Sequence, residues 1–238
     1  MKKFIGILGG MGTEATQFFF NDVVNYDKKA INDQDHLQIL MFNNSHIPDR
    51  TDFIINGNGD PESVLVKSAK ILDQGGVDFI TIPCNTAHFF YDAISGAVDT
   101  TVISILLETT MELKKQGKKR IGLLATKGTI FSKVYENKLT EHGLTTILPD
   151  QAVQDMTNDI IYKIKSKTPY DMDAYNEILK DFCALNELDA IILGCTELSL
   201  IQDGLKLDDV FVIDSNSHLA KRTYEYGRGI ADLNEFYG

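Results

Sequence analysis

Only three cysteines occur in the 238-residue chain, at positions 84, 183 and 195, and no two of them form a C-x-x-C pair. An odd, widely spaced set with no secretory signal argues against disulfide staples and for a reduced, cytoplasmic setting. Positive charge is also in short supply, with 23 Lys+Arg against 34 Asp+Glu for a formal charge of −11. That field disfavours nucleic acid and anionic membrane as partners, and an anionic substrate would need a locally basic site. Long apolar runs are missing too. The opening Phe4-Ile5-Gly6-Ile7-Leu8 stops at glycines, too short for a signal core, and nothing approaches the length of a membrane span. His36, His46, His88, His142 and His218 include no H-x-x-x-H spacing and no Cys/His cluster, so no metal site is expected. A Ser-His-Asp hydrolase would need a G-x-S-x-G turn, which does not occur.

What the chain does have is a repeated strand that ends in a thiol. Asp78 leads into Phe79-Ile80-Thr81-Ile82-Pro83-Cys84-Asn85-Thr86-Ala87, and Asp189 leads into Ala190-Ile191-Ile192-Leu193-Gly194-Cys195-Thr196-Glu197. Ile-rich runs without alternation suit parallel strands covered on both faces. Open parallel sheets place ligands beyond the carboxyl ends of their strands, so both thiols are expected at a crevice. A second pair of segments repeats as well. Ile5-Gly6-Ile7-Leu8-Gly9-Gly10-Met11-Gly12-Thr13 and Ile121-Gly122-Leu123-Leu124-Ala125-Thr126-Lys127-Gly128-Thr129 agree at Ile, Gly, Leu, Gly and Thr. Two repeats in register point to a duplicated βα unit.

In chain order, strand and helix alternate throughout, which predicts α/β layers built on parallel sheets. A strand at 3–8 feeds a glycine turn and a helix reaching about Lys29, and a strand at 37–42 follows. The turn can be forced into G-x-G-x-x-A at Gly10, Gly12 and Ala15, but the next strand ends in Asn43-Asn44 where a dinucleotide site wants an acid. Residues 43–61 are rich in Gly, Asn, Asp and Pro and read as a loop able to move over a site, with Arg50 as its only strong cation. Helices are expected over 62–74, 86–95, 131–142, 153–166 and 173–186, with strands at 101–105, 145–148 and 210–214 and a closing helix. Cys183 falls among Ile178, Leu179, Phe182 and Ala184, which suits packing rather than chemistry.

Two thiols at equivalent places in duplicated halves suit opposed acid and base. One removes a proton from one face of a carbon acid while the other supplies a proton to the opposite face. The negative charge of the intermediate spreads onto the substrate's α-carboxylate, where amides and hydroxyls beyond the cysteines should meet it. A protein that binds an acidic metabolite without reaction is the rival reading, although it has no use for a second thiol.

Several segments together resemble the aspartate/glutamate racemase family. They are Gly9-Gly10-Met11-Gly12 with Ala15-Thr16, Phe42-Asn43-Asn44 through Ile47-Pro48-Asp49-Arg50, Pro83-Cys84-Asn85-Thr86-Ala87-His88, Leu124-Ala125-Thr126 with Gly128-Thr129, and Gly194-Cys195-Thr196-Glu197. The resemblance runs over essentially the whole chain, and it implies two pseudo-symmetric α/β domains with the site between them. It further implies racemisation of an acidic amino acid without a cofactor, and usually a homodimer. Carried over by position, Cys84 and Cys195 would be the catalytic pair, and Asn85, Thr86, Ala87 and Thr196 would hold the α-carboxylate. Arg50 would anchor the side-chain carboxylate with Lys165 as its partner, and Met11 and Thr126 would complete the substrate contacts. The family commonly has Pro where this chain has Thr13, and Glu197 points to the aspartate-type branch. Related cysteine-based enzymes, of the maleate isomerase or hydantoin racemase type, are the alternative. The expected layout is residues 1–98 plus 211–238 in a first domain and 99–210 in a second.

Overall fold

The computed structural model describes residues 2–207 and 209–238. It contains two four-stranded, all-parallel sheets with the same strand order, and helices flank both. In the first half, β1 (Ile5–Gly9) leads to α1 (Thr13–Asn25) and β2 (Ile39–Asn43), then α2 (Arg50–Asn56), α3 (Pro61–Gln74) and β3 (Phe79–Thr81). The half closes with α4 (Tyr91–Ser95) and β4 (Thr101–Ile103), giving the order β2-β1-β3-β4. After α5 (Ile105–Lys115), the second half runs β5 (Arg120–Leu124), α6 (Lys127–Phe131), α7 (Val134–Glu141), β6 (Thr145–Ile147), α8 (Gln151–Ser166) and α9 (Met172–Leu185). It then adds β7 (Ala190–Leu193) and β8 (Phe211–Asp214) in the order β6-β5-β7-β8. Helices α10 (Ser215–Arg228) and α11 (Asn234–Tyr237) finish the chain.

The repeated aspartates have a common job. Asp78 accepts the Phe4 N–H at 2.6 Å, and Asp189 accepts the N–H groups of Lys119 and Arg120 at 3.0 and 2.8 Å. Each thiol strand thus begins by satisfying backbone donors at the entry to its neighbour, which sets the register of the two central strands.

Alternate strand residues divide between two layers, as a period of two requires. Ile5, Ile7, Phe79, Ile121, Leu123, Ala190 and Ile192 join one core that both sheets share, together with Phe19, Tyr135, Leu219 and Tyr226 from helices. Leu8 and Ile80 face a separate core under α3, whereas Ile191 and Leu193 face one formed with α8 and α9. Sheet membership changes one strand later than residues 98/99 and 210/211. β4 pairs with β3, and β8 pairs with β7. Only after these strands does the chain cross over, α5 leading to the second sheet and α10 returning to pack on α1 and α5.

Local differences from expectation have local causes. Residues 50–56 form a helix rather than a mobile loop, because Asp49 caps it through the Asp52 N–H at 2.8 Å and Gly57 ends it at φ 75°. That helix packs on α6, where Gly128 lies so close to Thr51 that a Cβ would meet the Thr51 backbone at 2.8 Å. The helix expected over 131–142 begins at Val134, since Lys133 takes the left-handed conformation at φ 57° and separates it from α6. Helix α1 ends at Asn25, short of Lys29. Among the described residues no helix is long and apolar enough to cross a membrane.

Candidate active site

Strands β3 and β7 deliver Cys84 and Cys195 to one cleft between the two sheets. The cleft is lined by Met11, Asp49, Arg50, Thr51, Cys84, Asn85, Thr86, Thr126, Tyr162, Lys165, Cys195, Thr196 and Glu197. Both thiols are buried and free. Nine of the ten side chains expected at the site meet there; the exception is Ala87, which is fully buried in the first-half core.

The Cys84 loop is held by the histidine four residues on. The His88 Nδ1–H donates to the Cys84 carbonyl at 2.8 Å, and Nε2 accepts the Ile105 N–H at 3.1 Å. Burial pushes its pKa down to about 4, so the ring is neutral and this tautomer is the one that satisfies both partners. Asn85 has a structural task. Its Nδ2 donates to Ser215 Oγ at 3.0 Å, Ser215 donates on to the Leu193 carbonyl at 2.7 Å, and the Tyr135 hydroxyl donates to Asn85 Oδ1 at 2.6 Å. The residue after one cysteine is thereby tied to the strand end that precedes the other.

Thr86, Thr126 and Thr129 form a ring of hydroxyls at 3.1, 2.8 and 3.0 Å. Such a ring can satisfy itself or turn one O–H outward to an anion. Arg50 is anchored through Nη1 to the carbonyls of Pro48 at 3.1 Å and Ile47 at 3.4 Å, while its Nε is buried with no hydrogen-bond partner. The Nε edge of the guanidinium is left for a ligand oxygen.

Glu197 is the residue that sequence reasoning undervalued, having served there only as a branch marker. Cys195 Sγ donates to Glu197 Oε2 at 3.0 Å, and Lys165 Nζ lies 3.7 Å from Oε1. Burial and then the Glu197 carboxylate raise the Cys195 pKa well above that of an ordinary thiol, with Lys165 opposing them. For Lys165, burial works against the ammonium, but Glu197 and the two thiols outweigh it and the pKa is raised. Tyr162, one helical turn before Lys165 on α8, also went unpredicted, although its spacing puts both on one face. The neighbouring lysines pair elsewhere, Lys163 on α8 with Asp159 at 2.7 Å and Lys167, just past its end, with Glu14 of α1 at 2.6 Å.

A family model described as Asp/Glu/Hydantoin racemase matches residues 8–223. The chain belongs to this family. It is 32% identical over 228 residues to the broad specificity amino-acid racemase RacX of Bacillus subtilis, covering 92% of this chain and 96% of that one. Glutamate racemase of Aquifex pyrophilus is 28% identical over 187 residues, with 72% of this chain and 68% of that one covered. The solved aspartate racemase of Picrophilus torridus superposes with a TM-score of 0.80 at 30% identity, over 95% of this chain and 94% of that one. The chain is thus an amino-acid racemase with the two-sheet architecture of its family.

Proposed function

We propose that this racemase inverts an acidic amino acid, aspartate or glutamate, without a cofactor, by proton transfer between Cys84 and Cys195. The observation that carries the reading is the meeting of both thiols with Arg50 and Lys165 in one cleft of an otherwise acidic protein. One sulfur, as thiolate, takes the α-hydrogen, and the other, as thiol, returns a proton to the opposite face of the carbon. The charge of the carbanion flows onto the α-carboxylate, and an outward hydroxyl of the threonine ring with the backbone amides beyond each cysteine meets it there. The free edge of Arg50 grips the side-chain carboxylate through parallel hydrogen bonds.

A wider substrate range is the second reading. Lys165 already faces Glu197, which leaves Arg50 as the cation with an unused edge, and the Bacillus relative is named for broad specificity. Racemisation of each enantiomer of a panel of acidic, neutral and basic amino acids in deuterated water decides between them. Aspartate or glutamate is expected to lead the panel and to take up deuterium at the α-carbon. Cys84→Ser and Cys195→Ser are each expected to lower racemisation at least about 1,000-fold with the fold intact. Wild-type rates in either variant would falsify the two-thiol assignment. Retention of every α-hydrogen would point instead to a binding protein, and conversion of maleate without racemisation to an isomerase.

A further inference from the structure

The cleft is less basic than its two cations alone would make it. Two acids, Asp49 and Glu197, share the lining, so with the thiols and Tyr162 protonated the formal charges of Asp49, Arg50, Lys165 and Glu197 cancel. Glu197 and Lys165 already face each other at 3.7 Å. The less committed ionic groups are Asp49 and Arg50, consecutive residues whose Cα atoms stand about 3.8 Å apart. Arg50 has the buried Nε edge that lacks a partner. Asp49 is exposed and caps α2 through Oδ1, and among the described residues no hydrogen bond or ion pair engages its Oδ2. Capping does not require the charge, because Asn or Ser caps a helix about as well. A carboxylate with a free oxygen on the wall of a substrate cleft is a receptor for a cation.

We infer that Asp49 is a specificity residue for basic amino acids, holding the side-chain ammonium of substrates such as ornithine and lysine while Arg50 beside it holds the carboxylate of acidic ones. The inference rests on the two-thiol reading and gives the wider substrate range a physical basis. For either class the α-carbon stays between the sulfurs, and only the end of the side chain changes partner. Depth sorts the two classes. Arg50 is half-buried and Asp49 is exposed, so the short side chains of aspartate and glutamate end at the guanidinium, and the longer ones of ornithine and lysine run on to the carboxylate. An ammonium arriving there has the like charge of Arg50 for a neighbour, and Asp49 is what offsets it. An acidic side chain has no such dependence on Asp49.

The measurement is the ratio of kcat/KM for lysine or ornithine to kcat/KM for aspartate or glutamate, taken from racemisation by the full chain. The wild type is expected to racemise both classes, the acidic one faster. Asp49→Asn, which keeps a capping oxygen, is expected to lower the basic-to-acidic ratio roughly 10- to 100-fold, as loss of a charge-assisted hydrogen bond does. Arg50→Gln should move the ratio the opposite way, since it removes both the grip on the substrate carboxylate and the repulsion of the ammonium. A merely structural role for Asp49 would slow acidic and basic substrates alike. A ratio that Asp49→Asn changes by less than about threefold, as for an exposed charge that contributes nothing, overturns the inference. So does a wild type inert toward every basic amino acid. Should the asparagine variant fail to fold, Asp49→Ser, which also caps, carries the same test with the same outcomes. Failure of the two-thiol reading shows elsewhere, as racemisation that survives Cys84→Ser or Cys195→Ser, and does not depend on the ratio.

Discussion

Replacing His88 by glutamine should remove a large part of the acid sensitivity of this protein. The ring is buried with both nitrogens committed, Nδ1 to the Cys84 carbonyl and Nε2 to the Ile105 amide, and its pKa falls from 6.5 to about 4. The unfolded histidine takes up a proton below about pH 6.5, and the folded one does so only near pH 4. In that window the unfolded chain binds more protons, so stability falls as pH falls. Integrating the two curves, the contribution lost between about pH 7.5 and pH 5 is about 2 kcal/mol, approaching about 3 kcal/mol below pH 4. Glutamine carries a donor and an acceptor but does not titrate. Equilibrium unfolding in urea at fixed ionic strength, repeated across this range, measures the loss directly. The wild type should lose about 2 kcal/mol more than His88→Gln between the two pH values. His218, also lowered to about 4, is present in both proteins and cancels in the comparison. Parallel stability curves for the two proteins would mean that His88 takes a proton in the folded state, and the account of the Cys84 loop would have to be abandoned.

Two further substitutions probe other parts of the argument. Arg50→Lys keeps the charge but loses the fork, so KM for the acidic substrate should rise roughly 10- to 100-fold with a much smaller change in kcat; unchanged steady-state constants would remove Arg50 from substrate binding. Tyr237→Phe removes a hydroxyl that donates to buried Glu108 at 2.8 Å and accepts the Ser104 N–H at 3.0 Å. A loss of about 2 kcal/mol in urea unfolding is expected, and a change below about 0.5 kcal/mol would show that Arg222 and Tyr226 hold Glu108 without it.

The thiol strands were legible because a parallel strand buried on both faces is apolar at nearly every position, without alternation, and the aspartate before each one marks where it begins. Convergence of the cysteines in one cleft followed from their position at the strand ends. Helix α2 was not legible. Its seven residues lie between Pro48 and the Gly57–Gly59 turn, and its stability comes from the Asp49 cap and from contact with α6, which local composition does not reveal. Asn85, expected to hold substrate, lines the cleft and also bridges Tyr135 and Ser215, partners 50 and 130 residues away that its local sequence does not reveal. Glu197 could be read as a family marker but not as a contact, because whether a side chain two residues past a cysteine reaches the sulfur depends on the turn between them. Which sheet β4 and β8 would join was equally out of reach, since an edge strand carries the same apolar pattern in either.

The chain passes between the two sheets twice, at the residues after β4 and again after β8. Two covalent ties fix a line, whereas one would fix only a point. Widening the gap between the lobes to admit an amino acid is therefore a door-like swing about that line, with twisting and sliding resisted by the second tie. Such a swing lets the two sulfurs part and come back to the same alignment on every cycle.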